Sequence, residues 1–317
     1  MNNLIYKKNL EAQTIENIKN SKSINTNRAY KSDYNDFINF CKNNDFEFVK
    51  PDLKTISVYL TDLSNKKFKY STIRRRLVSL SLANKLSGNY INTKHPVIDE
   101  NLKSIRRKLG NHQRGKKPIL LEELSKIINA IEKNESNIRK IRDKSIILLG
   151  FAGGFRRSEI VLLDCEDIEF VKEGMKVMLK KSKTDQFSSG FLKGVPYLNN
   201  KYLCAVTSLI EWINISSIKK GPLFRKISKS EKLLDNRLTG QTVALIIKKY
   251  TDIAGINNTN ISGHSLRSGF ATVVASLGAD ERSIMNMTGH KSPTMVRRYI
   301  RESNLFNNNA LNKLSKD

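Results

Sequence analysis

Tryptophan occurs once in these 317 residues, cysteine three times, histidine four times and proline six times. The few cysteines and histidines form no CxxC pair and no cluster at metal-ligand spacing, which argues against a zinc site and any other bound metal. Cys41, Cys165 and Cys204 are odd in number, far apart and set in apolar surroundings. They read as reduced core or near-core residues, not as a disulfide framework. Apolar runs such as Ser145 to Phe151 are far shorter than the roughly 20 residues a membrane-spanning helix needs. The start, Met1-Asn2-Asn3-Leu4-Ile5-Tyr6-Lys7-Lys8, has no apolar signal-peptide segment. The expected location is therefore the cytoplasm or the nucleoid, away from any membrane. Walker loops and paired carboxylates are missing as well, so neither a nucleotide nor any other cofactor is expected.

Acidic residues are the other shortage: 30 Asp+Glu face 56 Lys+Arg, a formal charge of +26. Such an excess draws polyanions and makes binding salt-sensitive, and the polyanion it points to is double-stranded DNA. A lysine-rich composition explains scattered lysines. It explains less well the clusters Arg74-Arg75-Arg76 and Arg297-Arg298.

The pattern along the chain is mainly α with one small antiparallel β-sheet. Residues 1–20 are polar and basic, expected to be a flexible N-terminus with at most a short helix. Residues 21–109 read as an all-α domain. Tyr30, Tyr34, Phe37, Ile38 and Cys41 recur at helical spacing, and further helices follow Pro51-Asp52, Ser71-Thr72 and Asp99. Their outer faces offer Arg74, Arg75, Arg76, Arg106 and Arg107 to DNA. Residues 110–118, with two glycines, a proline and the cations Lys116 and Lys117, read as a linker. A basic linker between two basic domains suggests a clamp on a duplex, as against an ordinary joint. Residues 119–317 form the second domain. It contains a hairpin over Ile168–Phe170 and Met175–Leu179, a third strand from about Gly190 to Leu198, and otherwise helices.

Chemistry concentrates in this second region. His264 and Arg267 are three apart and share the first turn of a helix, where the dipole favours an anion. Arg156 follows Gly153-Gly154, and Glu159 lies on the same face of the next helix, placed to orient that guanidinium. Arg157 points elsewhere and reads as a backbone-contact or surface residue. Ser292-Pro293 opens a helix that carries Tyr299, nine residues after His290. Each pair alone is more often structural: a surface His–Arg, a helix Arg–Glu, a half-buried tyrosine. Together, two arginines, two histidines and a phenol are the parts needed to attack a phosphodiester without a metal.

The set Gly154-Phe155-Arg156-Arg157-Ser158-Glu159, Lys181-Ser182-Lys183-Thr184-Asp185, His264-Ser265-Leu266-Arg267, Thr288-Gly289-His290 and Tyr299-Ile300-Arg301 resembles the tyrosine recombinase (phage integrase) superfamily. Asn25-Thr26-x-x-Ala29-Tyr30-x-x-Asp33 is similar to the start of that family's core-binding domain. The resemblance implies a helical, SAM-like core-binding domain followed by a catalytic domain, in the Xer/Cre-like two-domain layout without arm-site control. It implies a site-specific recombinase that cuts and rejoins DNA through a 3′-phosphotyrosyl intermediate. In that scheme Tyr299 is the nucleophile, Arg156 and Arg267 hold the phosphate and Glu159 supports them. Lys183 protonates the leaving 5′-oxygen, with Lys180 and Lys181 as nearby alternatives. His264 moves the tyrosyl proton and His290 donates a hydrogen bond to the phosphate. A homotetramer on two recombination sites is implied, with a terminal helix docking on a neighbouring protomer and accessory proteins left open. The rivals are a monomeric type IB topoisomerase and a non-catalytic DNA-binding protein of the same fold.

Overall fold

The computed structural model describes residues 2–110, 116–134, 136–180, 190–257, 259–303 and 311. It divides into two compact units, Met1–Gln113 and Arg114–Asp317.

The first unit is built from helices α1 (Asn2–Asn20), α2 (Ile24–Asn43), α3 (Leu53–Asn65), α4 (Tyr70–Leu86) and α5 (Pro96–Leu109). The start of the chain, expected to be flexible with at most a short helix, is one helix of 19 residues. Ser23 caps α2 and Asp52 caps α3, each side chain accepting from a main-chain N–H one turn on. Phe37, Cys41, Ile56, Tyr59, Leu60, Ile73, Leu80 and Ile98 close the core. One acid joins them: Asp33 is buried on α2 and receives Arg75 and Arg76 from α4.

The second unit begins with α6 (Leu121–Asn134), the buried α7 (Asn137–Ala152) and the short α8 (Arg157–Leu162). A three-stranded antiparallel sheet follows, in the order β1 (Ile168–Val171), β2 (Gly174–Leu179), β3 (Phe191–Pro196). In the β2–β3 register Val177 faces Lys193 and Met175 faces Val195. Next come α9 (Ala205–Ser216), β4 (Arg225–Ile227), β5 (Leu233–Arg237), α10 (Gly240–Ile253), α11 (His264–Ser276), α12 (Glu281–Thr288) and α13 (Pro293–Ser303). β4 and β5 make a second antiparallel sheet where one sheet was expected. The sequence hides it because Arg225-Lys226-Ile227 and Leu233-Leu234-Asp235-Asn236-Arg237 are short and barely alternate.

Helix α7 runs through the main core, Ile146, Ile147 and Leu149 being sealed, and Trp212 of α9 donates to the Leu223 carbonyl at 2.8 Å. A smaller cluster of Ala271, Ala275, Ile284 and Val296 holds α11, α12 and α13 together, with Tyr299 packed on its edge. That satellite decides where the phenol sits. No helix among the described residues is long and apolar enough to cross a membrane.

Candidate active site

The turn Gly153-Gly154-Phe155-Arg156 is the hub. α7 ends at Gly153, and Gly154 turns the chain with φ +55°, a backbone state that L side chains rarely adopt. Phe155 drops into the core and Arg156 becomes the N-cap of α8. Glu159, buried, accepts from the Arg156 main-chain N–H at 2.8 Å and from its guanidinium Nη1 at 2.6 Å. One carboxylate thus fixes both the backbone and the side chain of Arg156.

Arg267 approaches from the first turn of α11. It is 4% exposed, and its Nη1 donates to the Gly154 carbonyl at 2.9 Å. Among the described residues its buried Nη2 has no hydrogen-bond partner. Burial, then the neighbouring Arg156, lowers its pKa to about 10, with Glu159 and Tyr299 opposing. The group stays cationic at neutral pH. A buried guanidinium with an unmet donor beside a second guanidinium is suited chemically to an oxyanion.

His264 is exposed at the start of α11, where its main-chain N–H donates to Ser262 Oγ at 3.2 Å. His290 follows Gly289, the left-handed residue that ends α12. Thr288 Oγ1 donates to the Ile284 carbonyl at 2.6 Å and lies 2.7 Å from His290 Nδ1. A hydroxyl has one proton, so towards the histidine it accepts, and a neutral His290 holds its proton on Nδ1. Its Nε2 is then an acceptor. Burial first, then Arg267, Arg156, His264 and Lys193, push its pKa down to about 4. His290 therefore donates through Nε2 only when it is protonated, which adds a condition to the expected hydrogen bond to phosphate. Its ring lies 6.3 Å from that of Tyr299, centroid to centroid.

Arg156, Glu159, His264, Arg267, His290 and Tyr299 are thus brought together from α8, α11, the turn after α12, and α13. Lys183, with Lys181, lies outside the described residues. Lys180, its other alternative, is paired with Asp167 at 2.6 Å.

One group was missed. Lys193, on β3, is 3% exposed, and its Nζ donates to the Gly153 carbonyl at 2.8 Å and lies 4.1 Å from the centre of the Phe155 ring. Desolvation, then Arg267 and Arg156, lower its pKa to about 7 against the pull of Glu159. The available signal was period two: Val195 points inward, so Lys193 shares its face. Arg157, read as a backbone-contact or surface residue, is half-buried, and its side chain packs on Gly263, where a Cβ would come within 1.9 Å of its Cδ.

The basic residues assigned to DNA divide in the same way. Arg74, Arg106 and Arg107 are exposed. Arg74 and Arg106 line a groove of about 640 Å³ between α4 and α5, with Lys85, Lys94 and Lys103. Arg76 is instead turned inward, its side chain 11% exposed, paired with Asp33 and Asp36 and stacked 4.5 Å from the Phe68 ring centre. Arg75 is paired with Asp33. The spacing could not show this because the acids that capture the two arginines lie 40 or more residues upstream, on α2. Lys116 is exposed, whereas Lys117 pairs with Glu123 at 2.6 Å.

Comparison with known proteins adds the lineage. The family described as "Phage integrase family" matches residues 117–305. The chain belongs to that family. It is 38% identical over 300 residues to an integrase/recombinase XerD homologue of Selenomonas ruminantium, covering 94% of this chain and 87% of the relative. It is 26% identical to the tyrosine recombinase XerC of Herpetosiphon aurantiacus, over 88% and 85% of the two chains. Among solved structures, a lambda integrase dimer bound to a COC′ core site aligns with a TM-score of 0.59 at 17% identity, covering 92% of this chain and 93% of that one. The XerH recombinase in a post-cleavage complex with its difH substrate gives 0.58 at 21%, over 83% and 70%. These two likenesses speak to the fold. The chain is a tyrosine-type site-specific DNA recombinase with a C-terminal catalytic domain.

Proposed function

We propose that Tyr299 is the nucleophile of strand cleavage and that Arg156 and Arg267 hold the scissile phosphate. The observation that carries this is the unpartnered Nη2 of Arg267, buried beside a second guanidinium and coupled electrostatically to Tyr299. The phenol oxygen attacks phosphorus while the bond to the 5′-oxygen breaks, leaving a 3′-phosphotyrosyl ester and a free 5′-hydroxyl. The two guanidiniums meet the charge that builds on the non-bridging oxygens. The phenol proton leaves towards His264, and Lys183 would return a proton to the 5′-oxygen. An incoming phosphate raises the proton affinity of His290, which then donates from Nε2. The ester conserves the bond energy for religation, so the scheme calls for no metal or nucleotide.

On this reading Arg74, Arg106, Arg107 and Lys116 contact the DNA backbone, and four protomers act on two recombination sites in the cytoplasm or on the nucleoid. The test is Tyr299→Phe. It abolishes denaturant-resistant protein–DNA adducts on a nicked suicide duplex and leaves binding intact. Adducts persisting in that variant would overturn the nucleophile assignment. Strand exchange between two labelled duplexes separates a recombinase from a relaxing monomer.

A further inference from the structure

Lys193 sits where a sheet residue should be apolar. Its neighbours on the inward face, Val195 of β3 and Val177 across the ladder, are both sealed in the core. Burying an ammonium there is unfavourable unless something at that spot requires it. What it reaches is the hub of the site. The carbonyls of Gly153 and Gly154 are consecutive; Lys193 donates to the first and Arg267 to the second. The residue between that pair and Arg156 is Phe155, whose ring lies under the ammonium. The charged groups around Lys193 are Arg156 and Glu159 from α8, Arg267 from α11 and His290 after α12.

We propose that Lys193 is a positioning residue for strand cleavage, its ammonium holding the Gly153–Gly154 turn so that Arg156 and Arg267 converge on one phosphate. This rests on those two arginines being the phosphate ligands. The same geometry couples Lys193 to the substrate. Without DNA, two guanidiniums oppose its charge, with Glu159 as counterweight; a phosphodiester seated on the guanidiniums removes much of that repulsion. Phosphate binding therefore draws a proton onto Lys193 at mildly alkaline pH, where the free protein has largely lost it.

The experiment uses the full chain and a nicked suicide duplex carrying its recombination site. Single-turnover adduct formation is followed at sub-saturating protein from about pH 6 to 9 for the wild type, Lys193→Met and Lys193→Arg. Proton uptake on binding is measured by calorimetry in buffers of different ionisation enthalpy, with Tyr299→Phe as background to prevent cleavage. Lys193→Met is expected to slow adduct formation about tenfold or more near neutral pH. The wild-type advantage should shrink as pH rises above 7, and the variant should take up fewer protons, by up to about one, on binding. Lys193→Arg keeps a donor and a charge that does not titrate, so it should recover much of the rate without the pH dependence. That rescue is what a merely space-filling role would not produce, and it keeps the test informative should the methionine variant fold poorly. Equal rates across the pH range in the methionine variant, or equal proton uptake in both proteins, would overturn the proposal. Absence of adduct from the wild type would instead sink the reading of Tyr299 and the arginine pair.

Discussion

Glu159 binds Arg156 twice, through the main-chain N–H at 2.8 Å and through the guanidinium at 2.6 Å. The arginine is therefore held at its root and at its tip by one buried carboxylate. Glu159→Ala frees both ends, and adduct formation should fall about 10- to 100-fold while duplex affinity changes little. Glu159→Gln keeps acceptance from the N–H and loses the ion pair, so it should fall in between. A gel assay for covalent adducts ranks the three.

At Gly269, α11 passes close against the backbone of Ile119, in the segment that leads into the catalytic unit. A Cβ there would lie 2.0 Å from the Ile119 carbonyl oxygen, and Ile119 itself donates to the Ser265 carbonyl at 3.0 Å. Backbone cannot step aside as a side chain tip can. Gly269→Ala should lower stability by about 1–3 kcal/mol or more, read as a drop in melting temperature, and should slow cleavage because α11 carries His264 and Arg267. An unchanged melting temperature would contradict the contact.

Lys193 also sets a stability signature. Its pKa is about 7 in the fold against 10.5 for an ordinary lysine, so between those values the unfolded chain binds more protons. The charge-burial penalty is complete below pH 7 and fades as pH rises towards 10.5. The unfolding free energy of the wild type should therefore gain on that of Lys193→Met from neutral to alkaline pH. Parallel denaturant titrations of the two proteins check the sign.

Arg74 and Arg76 are two residues apart and should behave oppositely. Arg76→Ala removes a cation shared by Asp33 and Asp36 and should lower the melting temperature. Arg74→Ala should leave stability unchanged, weaken duplex binding and reduce the slope of log affinity against log salt by about 1. A stable Arg76→Ala with lost DNA affinity would reverse the assignment.

Much of the candidate site was legible before any fold was known, because Arg156, His264 and Arg267 sit at helix starts with strong local signals. Ser292-Pro293 opens α13, and Gly153-Gly154 ends α7 one residue short of Arg156. His264 and Arg267 need only one helical turn to share a face. What stayed hidden were partnerships over long sequence separations. Asp33 meets Arg75 and Arg76, Arg157 packs on Gly263, and Lys193 reaches back to Gly153.

The chain itself determined which groups could do the chemistry, since a phenol, guanidiniums and imidazoles are fixed by residue type and helical period is local. Only tertiary packing decided which cations gather at the Gly153-Gly154 turn and which are tied into the helical core. That depends on the acids, carbonyls and aromatic faces each one meets, and these come from elements tens of residues away. Lys193 and Arg76 are both basic residues in a basic chain, but burial beside Gly153 places one next to Arg156 and Arg267, and Asp33 with Asp36 ties the other into the helical core.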